Sequence, residues 1–284
     1  MTLEMERLPT EAFMRSPELA NEYQDVHGLY GLYDKLAFTN GLMLVGPKGI
    51  GKSLSVAAYA AKHKIPQIAF DCSEDVRRSH LLGGFVLRGG DTPFVLGPVT
   101  TAFEVANECG SCILTLEEAN TLTPQMQKVL NGILDFRCRV EVPEAKKVFQ
   151  LNPGAKLWVV GTMNFAGYGG VYELNEDLKS RLNMLPMTYP NTGDERIVLD
   201  AYNTRVSLGL NKTAINGLLT LAHETRQQAM EYALSTRDLT QLMQNMSVLG
   251  PDKALWLMSG KFEGEDRTAF RQRVSSVFGI EIAA

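Results

Sequence analysis

The feature that most constrains this chain is one glycine-rich segment, Gly46-Pro47-Lys48-Gly49-Ile50-Gly51-Lys52-Ser53. It follows the apolar run Gly41–Val45 and precedes a helical pattern over Ser53–His63. The spacing G-x-x-x-x-G-K-S between a strand and a helix is typical of a phosphate-binding loop. Glycines let backbone N–H groups converge on phosphate oxygens, and the helix adds its positive N-terminal end. The alternative is a glycine-rich turn with an incidental lysine.

This loop predicts a site for a nucleoside triphosphate and Mg²⁺. Lys52 would supply positive charge to the β- and γ-phosphates, and the Ser53 hydroxyl would be a ligand of Mg²⁺. The residues predicted to bind the nucleotide are Gly46, Pro47, Lys48, Gly49, Ile50, Gly51, Lys52, Ser53 and Leu54.

Polar side chains end two further apolar runs. Cys112–Leu116 is followed by Glu117 and Glu118, and the run that begins at Leu157 ends at Asn164. Beside a phosphate loop, one carboxylate can hold Mg²⁺ while the other orients and deprotonates the attacking water. By position we assign Glu117 to the metal and Glu118 to the water, and Asn164 to positioning that water or sensing the γ-phosphate. The alternatives are a solvated strand end and a turn-capping asparagine.

Short apolar strands alternate with helical patterns along the first 190 residues. This alternation predicts an α/β fold with a parallel sheet covered by helices on both faces. After Pro190 the pattern is helical, which predicts a core domain over residues 1–190 and a small all-helical lid over residues 191–284. The predicted strands are Gly41–Val45, Gln67–Asp71, Cys112–Leu116 and Leu157–Thr162, and the predicted helices are Ser53–His63, Val99–Glu108, Pro124–Leu134, Asp194–Leu208, Lys212–Leu234 and Thr236–Leu249.

Two segments interrupt the alternation. Phe85–Pro98 contains the turn sequence Arg88–Asp91 and predicts a hairpin inserted into a helix. Arg137–Trp158 contains β-rich stretches around Asn152–Gly154 and predicts a second hairpin that leads into the fourth strand.

Composition lowers the expectation of a nucleic-acid or membrane partner. Lys and Arg number 28 against 32 Asp and Glu, which gives a net charge of −4. The chain as a whole therefore does not attract polyanions. No apolar run approaches the roughly 18 residues of a membrane span, and Met1–Arg15 lacks the order of a signal peptide, so we expect a cytoplasmic location. Cys109 and Cys112 lack the second pair that a zinc site needs, and we expect reduced thiols.

The order of phosphate loop, acidic pair, strand with terminal Asn and later arginines resembles the AAA+ ATPases. The strings GTMNF, GPVTTAF and ELNEDLKSRL are similar to the MoxR branch and to the dynein-related group that contains CbbQ, NirQ, NorQ, GvpN and McrB. The resemblance covers about residues 26–250. It implies that Lys52 and Ser53 belong to Walker A, Glu117 and Glu118 to Walker B, and that Asn164 is sensor 1.

The resemblance also implies roles for two arginines. Arg181 would be the arginine finger, which reaches the γ-phosphate of a neighbouring subunit in a hexameric ring with shared ATP sites. Arg237 would be sensor 2, contributed by the lid of the same subunit. Alternatively, Arg181 pairs with Asp177 on one helix face, and Arg237 caps a helix or pairs with a surface carboxylate. One departure is Glu117, where the family normally has Asp.

Three functions are consistent with these features. The first is a Mg²⁺-dependent ATPase that remodels a protein partner in a chaperone-like manner, such as the von Willebrand A domain proteins that accompany relatives. The second is a nucleic-acid machine, a helicase loader or translocase. The third is a nucleotide-gated scaffold with little hydrolysis, which Glu117 in place of Asp would favour.

Overall fold

The computed structural model describes residues 5–87, 89–164, 172–227 and 230–282. Its internal contacts divide the chain into two compact units. Unit 1 comprises Met1–Tyr23, Gly28–Gly46 and Lys52–Met187. Unit 2 comprises Gln24–His27, Pro47–Gly51 and Thr188–Ala284.

Unit 1 contains strands and helices. The strands are β1 (Met5–Glu6), β2 (Gly41–Val45), β3 (Gln67–Asp71), β4 (Gly83–Phe85), β5 (Phe94–Leu96), β6 (Ser111–Glu117), β7 (Arg139–Val142), β8 (Lys147–Gln150), β9 (Lys156–Met163) and β10 (Leu182–Pro186). The helices are α1 (Leu29–Leu36), α2 (Lys52–His63), α3 (Arg78–Leu82), α4 (Pro98–Cys109), α5 (Pro124–Leu134) and α6 (Glu176–Lys179). Short 3-10 segments lie at Thr10–Phe13, Pro17–Asn21, Ala119–Thr121 and Pro143–Ala145.

The central sheet of unit 1 has five strands in the order β10-β2-β9-β6-β3, and every neighbouring pair is parallel. Strand β6 is almost continuously buried from Cys112 to Leu116, which is what a strand covered on both faces requires. The predicted α/β fold with a parallel sheet is confirmed. Strand β10 was not predicted, because its sequence Leu182–Pro186 mixes Asn and Pro with apolar residues on a sheet edge.

The first predicted hairpin is present and gains a third strand. Strands β4 and β5 pair antiparallel, and β1 pairs parallel to β5 through Met5↔Phe94. The hairpin lies between α3 and α4, and residue 88 of its predicted turn lies outside the described residues. The strand at β1 was not predicted, since two residues carry no periodicity.

The second hairpin is present, but its turn was predicted at the wrong place. Strands β7 and β8 pair antiparallel through Val142↔Lys147, so the turn is formed by Pro143–Lys146. Lys146 adopts the left-handed conformation that closes it. Asn152–Gly154 instead connects β8 to β9, because the strand that follows belongs to the central sheet.

Unit 2 is built from helices. They are α7 (Thr192–Val206), α8 (Lys212–Gln227), α9 (Thr236–Leu249), α10 (Pro251–Ser259) and α11 (Gly264–Phe278). Their apolar faces form one core that includes Leu218, Leu221, Leu242, Met243 and Phe270, all fully buried.

One helix of unit 2 is shorter than predicted. The prediction continued α8 to Leu234, whereas the helix ends at Gln227 and Met230–Leu234 is not helical. Residues 228 and 229 of the predicted helix lie outside the described residues. The backbone of Leu234 bonds to side chains instead, since its carbonyl accepts from Arg226 Nε and its N–H donates to Thr225 Oγ1.

All four cysteines are free thiols. Cys72 and Cys112 are buried, and burial raises the pKa of each to about 12. In the part of the chain that the structure describes, no helix combines the length and apolar character that a membrane crossing requires.

Shortening a fully buried side chain of β6 should destabilise unit 1. We expect Leu114→Ala to lower the free energy of unfolding by about 2–5 kcal/mol, because it leaves a cavity in the sheet. The control is Leu87→Ala, the same change at a side chain that is 78% exposed, where a change within about 0.5 kcal/mol is expected. Urea unfolding of both variants measures the difference, and equal losses would contradict the packing described here.

Candidate active site

The carboxyl ends of three neighbouring strands meet at one edge of the sheet of unit 1. Val45 of β2 is level with Met163 of β9, and Leu116 of β6 is level with Gly161. The residues that follow these strand ends are therefore brought together although they are far apart in sequence. Ligands of open α/β sheets bind at this kind of edge.

Lys52 is the buried charge of this edge, with 8% of its surface exposed. Its ammonium group donates to the Gly46 carbonyl at 2.7 Å and to Asn164 Oδ1 at 3.1 Å. A buried ammonium requires such acceptors, because desolvation without a partner is costly. Two of the predicted site residues, Lys52 and Asn164, are thus in direct contact.

The carboxylate of Glu117 is surrounded by hydroxyl groups. Its Oε2 atom accepts from the Ser53 hydroxyl and from Thr162 Oγ1, the latter at 2.7 Å. The Thr162 hydroxyl in turn accepts the Glu118 N–H at 3.1 Å. The Glu117 carboxylate is thus in direct contact with Ser53. A carboxylate and a hydroxyl in contact form an oxygen donor set of the kind that Mg²⁺ prefers, so these residues fit that ion.

Glu118 adopts a left-handed backbone conformation, with φ 52° and ψ 45°. This region costs a non-glycine residue about 1–2 kcal/mol. The conformation is held because β6 ends at Glu117 and the Glu118 carbonyl accepts from the N–H and the hydroxyl of Thr121, both at 2.8 Å. The exposed Glu118 carboxylate accepts from Asn164 Nδ2 at 3.4 Å. Strain of this kind is concentrated at functional sites.

The structure reveals two polar residues that our sequence interpretation missed. Thr162 bonds to both members of the acidic pair, as described above. Asn120 is buried, and its Nδ2 donates to the Asn164 carbonyl at 3.4 Å. Its Oδ1 has no hydrogen-bond partner among the residues that the structure describes. The sequence signal for each was its position: Thr162 is two residues before Asn164, and Asn120 is two residues after Glu118. Phe165, which ends the GTMNF string, lies outside the described residues.

Arg181 does not belong to this hydrogen-bonded cluster. In the part of the chain that the structure describes, its guanidinium donates to the backbone carbonyl of Asp177, one turn earlier. The residue is partly exposed at the start of β10. Arg181 thus contacts Asp177, as in the alternative interpretation, but at its backbone carbonyl and not at its carboxylate. The role of Arg181 as an arginine finger stays a prediction.

The middle of the phosphate loop, Pro47–Gly51, belongs to unit 2. Gly49 has φ +75°, and a Cβ at this position would lie 2.3 Å from Ser235 Oγ. Its carbonyl accepts the Arg237 N–H at 3.2 Å. The loop is therefore packed against the N-terminus of α9, and the Arg237 side chain there is exposed.

The other loop residues differ in exposure. Pro47 and Ile50 are buried, Lys48 is exposed, and Gly51 has φ +93°. Leu54 lies on the first turn of α2 in unit 1 and is 37% exposed.

Asp238 holds the N-terminus of α9 in place. Its carboxylate accepts from the Ser235 N–H at 2.8 Å and hydroxyl at 2.6 Å, from Tyr232 at 2.8 Å and from Lys261. Burial raises the pKa of this carboxyl, but the hydrogen bonds from Lys261, Ser235 and Tyr232 outweigh burial, so the net pKa lies below its usual value. This capping box fixes the backbone of Ser235, which contacts Gly49.

Comparison with known protein families agrees with this architecture. The family described as AAA domain (dynein-related subfamily) matches residues 41–182, which is half of the 284 residues. The matched range contains the phosphate loop, the acidic pair and Asn164. The chain therefore belongs to the dynein-related subfamily of AAA domains.

Similar proteins occur in staphylococci. An uncharacterized protein of Staphylococcus epidermidis strain ATCC 12228 is 28% identical over 172 residues, which cover 59% of this chain and 60% of that protein. One from Staphylococcus aureus strain NCTC 8325 is 27% identical over 243 residues, covering 82% of this chain and 86% of that protein. The match to the first of these relatives thus spans less than two thirds of its length.

Among solved structures, the fold is similar to that of NtrX from Brucella abortus, which was crystallised in complex with ADP. The TM-score is 0.55 at 15% identity, and the match covers 93% of this chain and 68% of NtrX. At this identity the similarity supports the fold.

A side chain at Gly49 should be incompatible with the packed loop. We expect Gly49→Ala to lower the free energy of unfolding by more than the roughly 1–2 kcal/mol of left-handed backbone strain, because its Cβ would also overlap Ser235. The control is Gly209→Ala, at φ +71° with nothing within 4 Å of the added Cβ, where only the strain applies. Thermal or urea unfolding distinguishes the two, and equal losses would show that the loop is not packed as described.

The stability contributed by Asp238 should depend on pH. Because its pKa is lowered in the folded state, the contribution is full above the ordinary value of 3.8 and is lost as pH falls through the folded pKa. We expect Asp238→Asn to lower the free energy of unfolding by about 1.5–3 kcal/mol at pH 7, and by progressively less as the pH falls below 3.8. Asp200→Asn, at an exposed position of α7, should change stability little at neutral or acid pH. A difference that grows towards acid pH would contradict this interpretation.

Proposed function

We propose that this protein is a Mg²⁺-dependent ATPase of the MoxR-like, dynein-related branch, and that it remodels a protein partner as part of an oligomeric ring. The observation that carries the proposal is the hydrogen-bonded cluster at the sheet edge. There five residues from three separate parts of the sequence are joined by hydrogen bonds: Lys52 to Asn164, Asn164 to Glu118, and Ser53 to Glu117. Thr162 bonds to both Glu117 and the Glu118 N–H and so connects the two groups. Membership of the AAA family and the fold shared with the ADP-bound NtrX support a nucleotide as the ligand.

The phosphate loop and Lys52 bind the triphosphate in this proposal. Lys52 exchanges the carbonyl of Gly46 and the amide of Asn164 for phosphate oxygens, so its charge moves between acceptors without entering bulk water. Ser53 and Glu117 would hold Mg²⁺, and the ion would neutralise negative charge on the phosphates during cleavage. Thr162 orients Glu117 for this role by donating to its Oε2 atom.

Glu118 acts on the attacking water. Its exposed carboxylate accepts the proton of the water that attacks the γ-phosphate, and Asn164 holds that carboxylate and water in line. The two carboxylates have different partners, since that of Glu118 accepts from Asn164 whereas that of Glu117 accepts from Ser53 and Thr162. The two adjacent carboxylates therefore have different tasks, one on the metal and one on the water.

Two arginines complete the proposed site. Arg237 at the N-terminus of α9 acts as sensor 2 within one subunit, and Arg181 acts as an arginine finger on the nucleotide of the next subunit. Residues 1–190 then form the ATP-binding core and residues 191–284 the lid. A closed ring of six subunits would let each hydrolysis event change the contact between neighbours.

A nucleotide-gated scaffold is the second candidate, and Glu117 in place of the usual Asp favours it. The longer carboxylate contacts Ser53 directly, which would alter how closely a metal ion is held. Slow hydrolysis with tight nucleotide binding is the expected behaviour of such a scaffold.

Hydrolysis measured against protein concentration tests the ATPase. We expect Mg²⁺-dependent specific activity to rise with concentration, because Arg181 serves a neighbouring site. Glu118→Gln should lower kcat by about 10²–10⁴-fold, and Arg181→Ala by about 10³-fold or more. Glu144→Gln and Arg139→Ala, the same changes at exposed positions outside the site, should leave the rate unchanged.

The other outcomes separate the candidates. Tight ATP binding with no turnover at any concentration would overturn the ATPase and favour the scaffold. Activity that is independent of protein concentration and unaffected by Arg181→Ala would contradict the proposal that neighbouring subunits share each ATP site. Stimulation by DNA with a steep dependence on salt would indicate a nucleic-acid partner instead of a protein.

A further inference from the structure

A buried carboxylate joins three helices of unit 2. Glu195, in the first turn of α7, has 2% of its surface exposed. It accepts two hydrogen bonds from Arg226 of α8, at 2.8 and 2.9 Å, and one from the Thr236 hydroxyl of α9 at 2.6 Å. The arrangement of Arg226 and Glu195 is bidentate, which fixes direction as well as distance.

The guanidinium of Arg226 extends this connection to the segment before α9. Its Nε donates to the Leu234 carbonyl at 2.8 Å, and its Cζ atom lies 4.1 Å from the centre of the Tyr189 ring. The Leu234 N–H donates to Thr225 Oγ1 at 3.2 Å. Both the backbone of Leu234 and the side chain of Thr236 are thus held by the same cluster.

The residues so held are the ones that contact the phosphate loop. Ser235 lies between Leu234 and Thr236, and its side chain occupies the space beside Gly49. The next residue, Arg237, donates its N–H to the Gly49 carbonyl. The path from the buried carboxylate to the loop therefore passes through consecutive residues of one turn.

We propose that Glu195, Arg226 and Thr236 are positioning residues that hold the turn Ser235-Thr236-Arg237 against the phosphate loop and so set the affinity of the nucleotide site. The effect on nucleotide rests on the proposed function, whereas the hold on the loop does not. A buried ion pair is a weak source of stability, because desolvation offsets its attraction. Its bidentate geometry does define where the turn lies, which an apolar contact of the same size would not.

Removing one hydroxyl tests this role without leaving a charge unpaired. Thr236→Val keeps the shape of the side chain and leaves Glu195 paired with Arg226. The first measurement is hydrogen exchange at the Arg237 amide without nucleotide, and the second is the affinity for a fluorescent ADP analogue with Mg²⁺. We expect exchange to accelerate and affinity to fall by about tenfold each, the factor that loss of one hydrogen bond to a charged group produces.

Three further variants control the test. Thr236→Ser keeps the hydroxyl and should restore both values. Thr220→Val makes the same substitution in α8, where the hydroxyl donates to the Asn216 carbonyl one turn earlier, and should change neither. Thr236→Ala removes the same hydroxyl, also with Glu195 and Arg226 still paired, and replaces Thr236→Val if that variant does not fold, as judged by circular dichroism.

Each outcome has a distinct meaning. Unchanged exchange and affinity in Thr236→Val would overturn the positioning role, since the cluster would then only stabilise unit 2. Faster exchange with unchanged affinity would overturn the effect on nucleotide. If the unmodified protein binds no nucleotide, the proposed function fails, while the exchange measurement still supports or contradicts the hold on the loop.

Discussion

The structure of the site depends on the need to satisfy one buried ammonium group. Lys52 is largely buried, so its charge requires oxygen acceptors from the protein or from a ligand. Two such acceptors are the carbonyl of Gly46, directly after β2, and the amide of Asn164, directly after β9. Both can be present only when β2 and β9 are neighbours in the correct register. The pairing of β2 with β9 thus positions both acceptors, and Lys52 depends on that pairing for its hydrogen bonds.

A second buried charge has a comparable place in unit 2. Glu195 receives three hydrogen bonds from two other helices, as Lys52 receives its acceptors from two segments. In each unit a buried charged side chain, Lys52 or Glu195, forms hydrogen bonds with segments that are distant from it in sequence. In unit 1 these hydrogen bonds hold Lys52 beside Asn164, and in unit 2 they hold the turn that contacts Gly49. The apolar cores determine that the units are compact, and these charges determine which polar atoms meet.

The parts of the structure that follow local patterns could be predicted from the sequence. Helix α9 was predicted to the residue, and β2, β3 and β6 within one residue, because each combines a clear period with a turn or cap at both ends. Strand β10 and the two residues of β1 could not be predicted, since their pairing depends on partners far along the chain. The turn at Pro143–Lys146 was missed because Asn152–Gly154 has the stronger local turn sequence. The candidate site was predicted from its motifs, whereas Thr162, Asn120 and Glu195 were not, because their importance lies in contacts with other elements.

The backbone of Glu118 has a consequence for how this sequence can change over evolutionary time. In the left-handed region, glycine and asparagine are the replacements that the backbone would accept with least strain. Neither can serve as a base, so on the proposed mechanism each gain in stability at this position removes activity. Selection for a more robust fold and selection for turnover therefore act on Glu118 in opposite directions. An inactive descendant of this protein would be expected to lose its glutamate here early, and to be more stable for it.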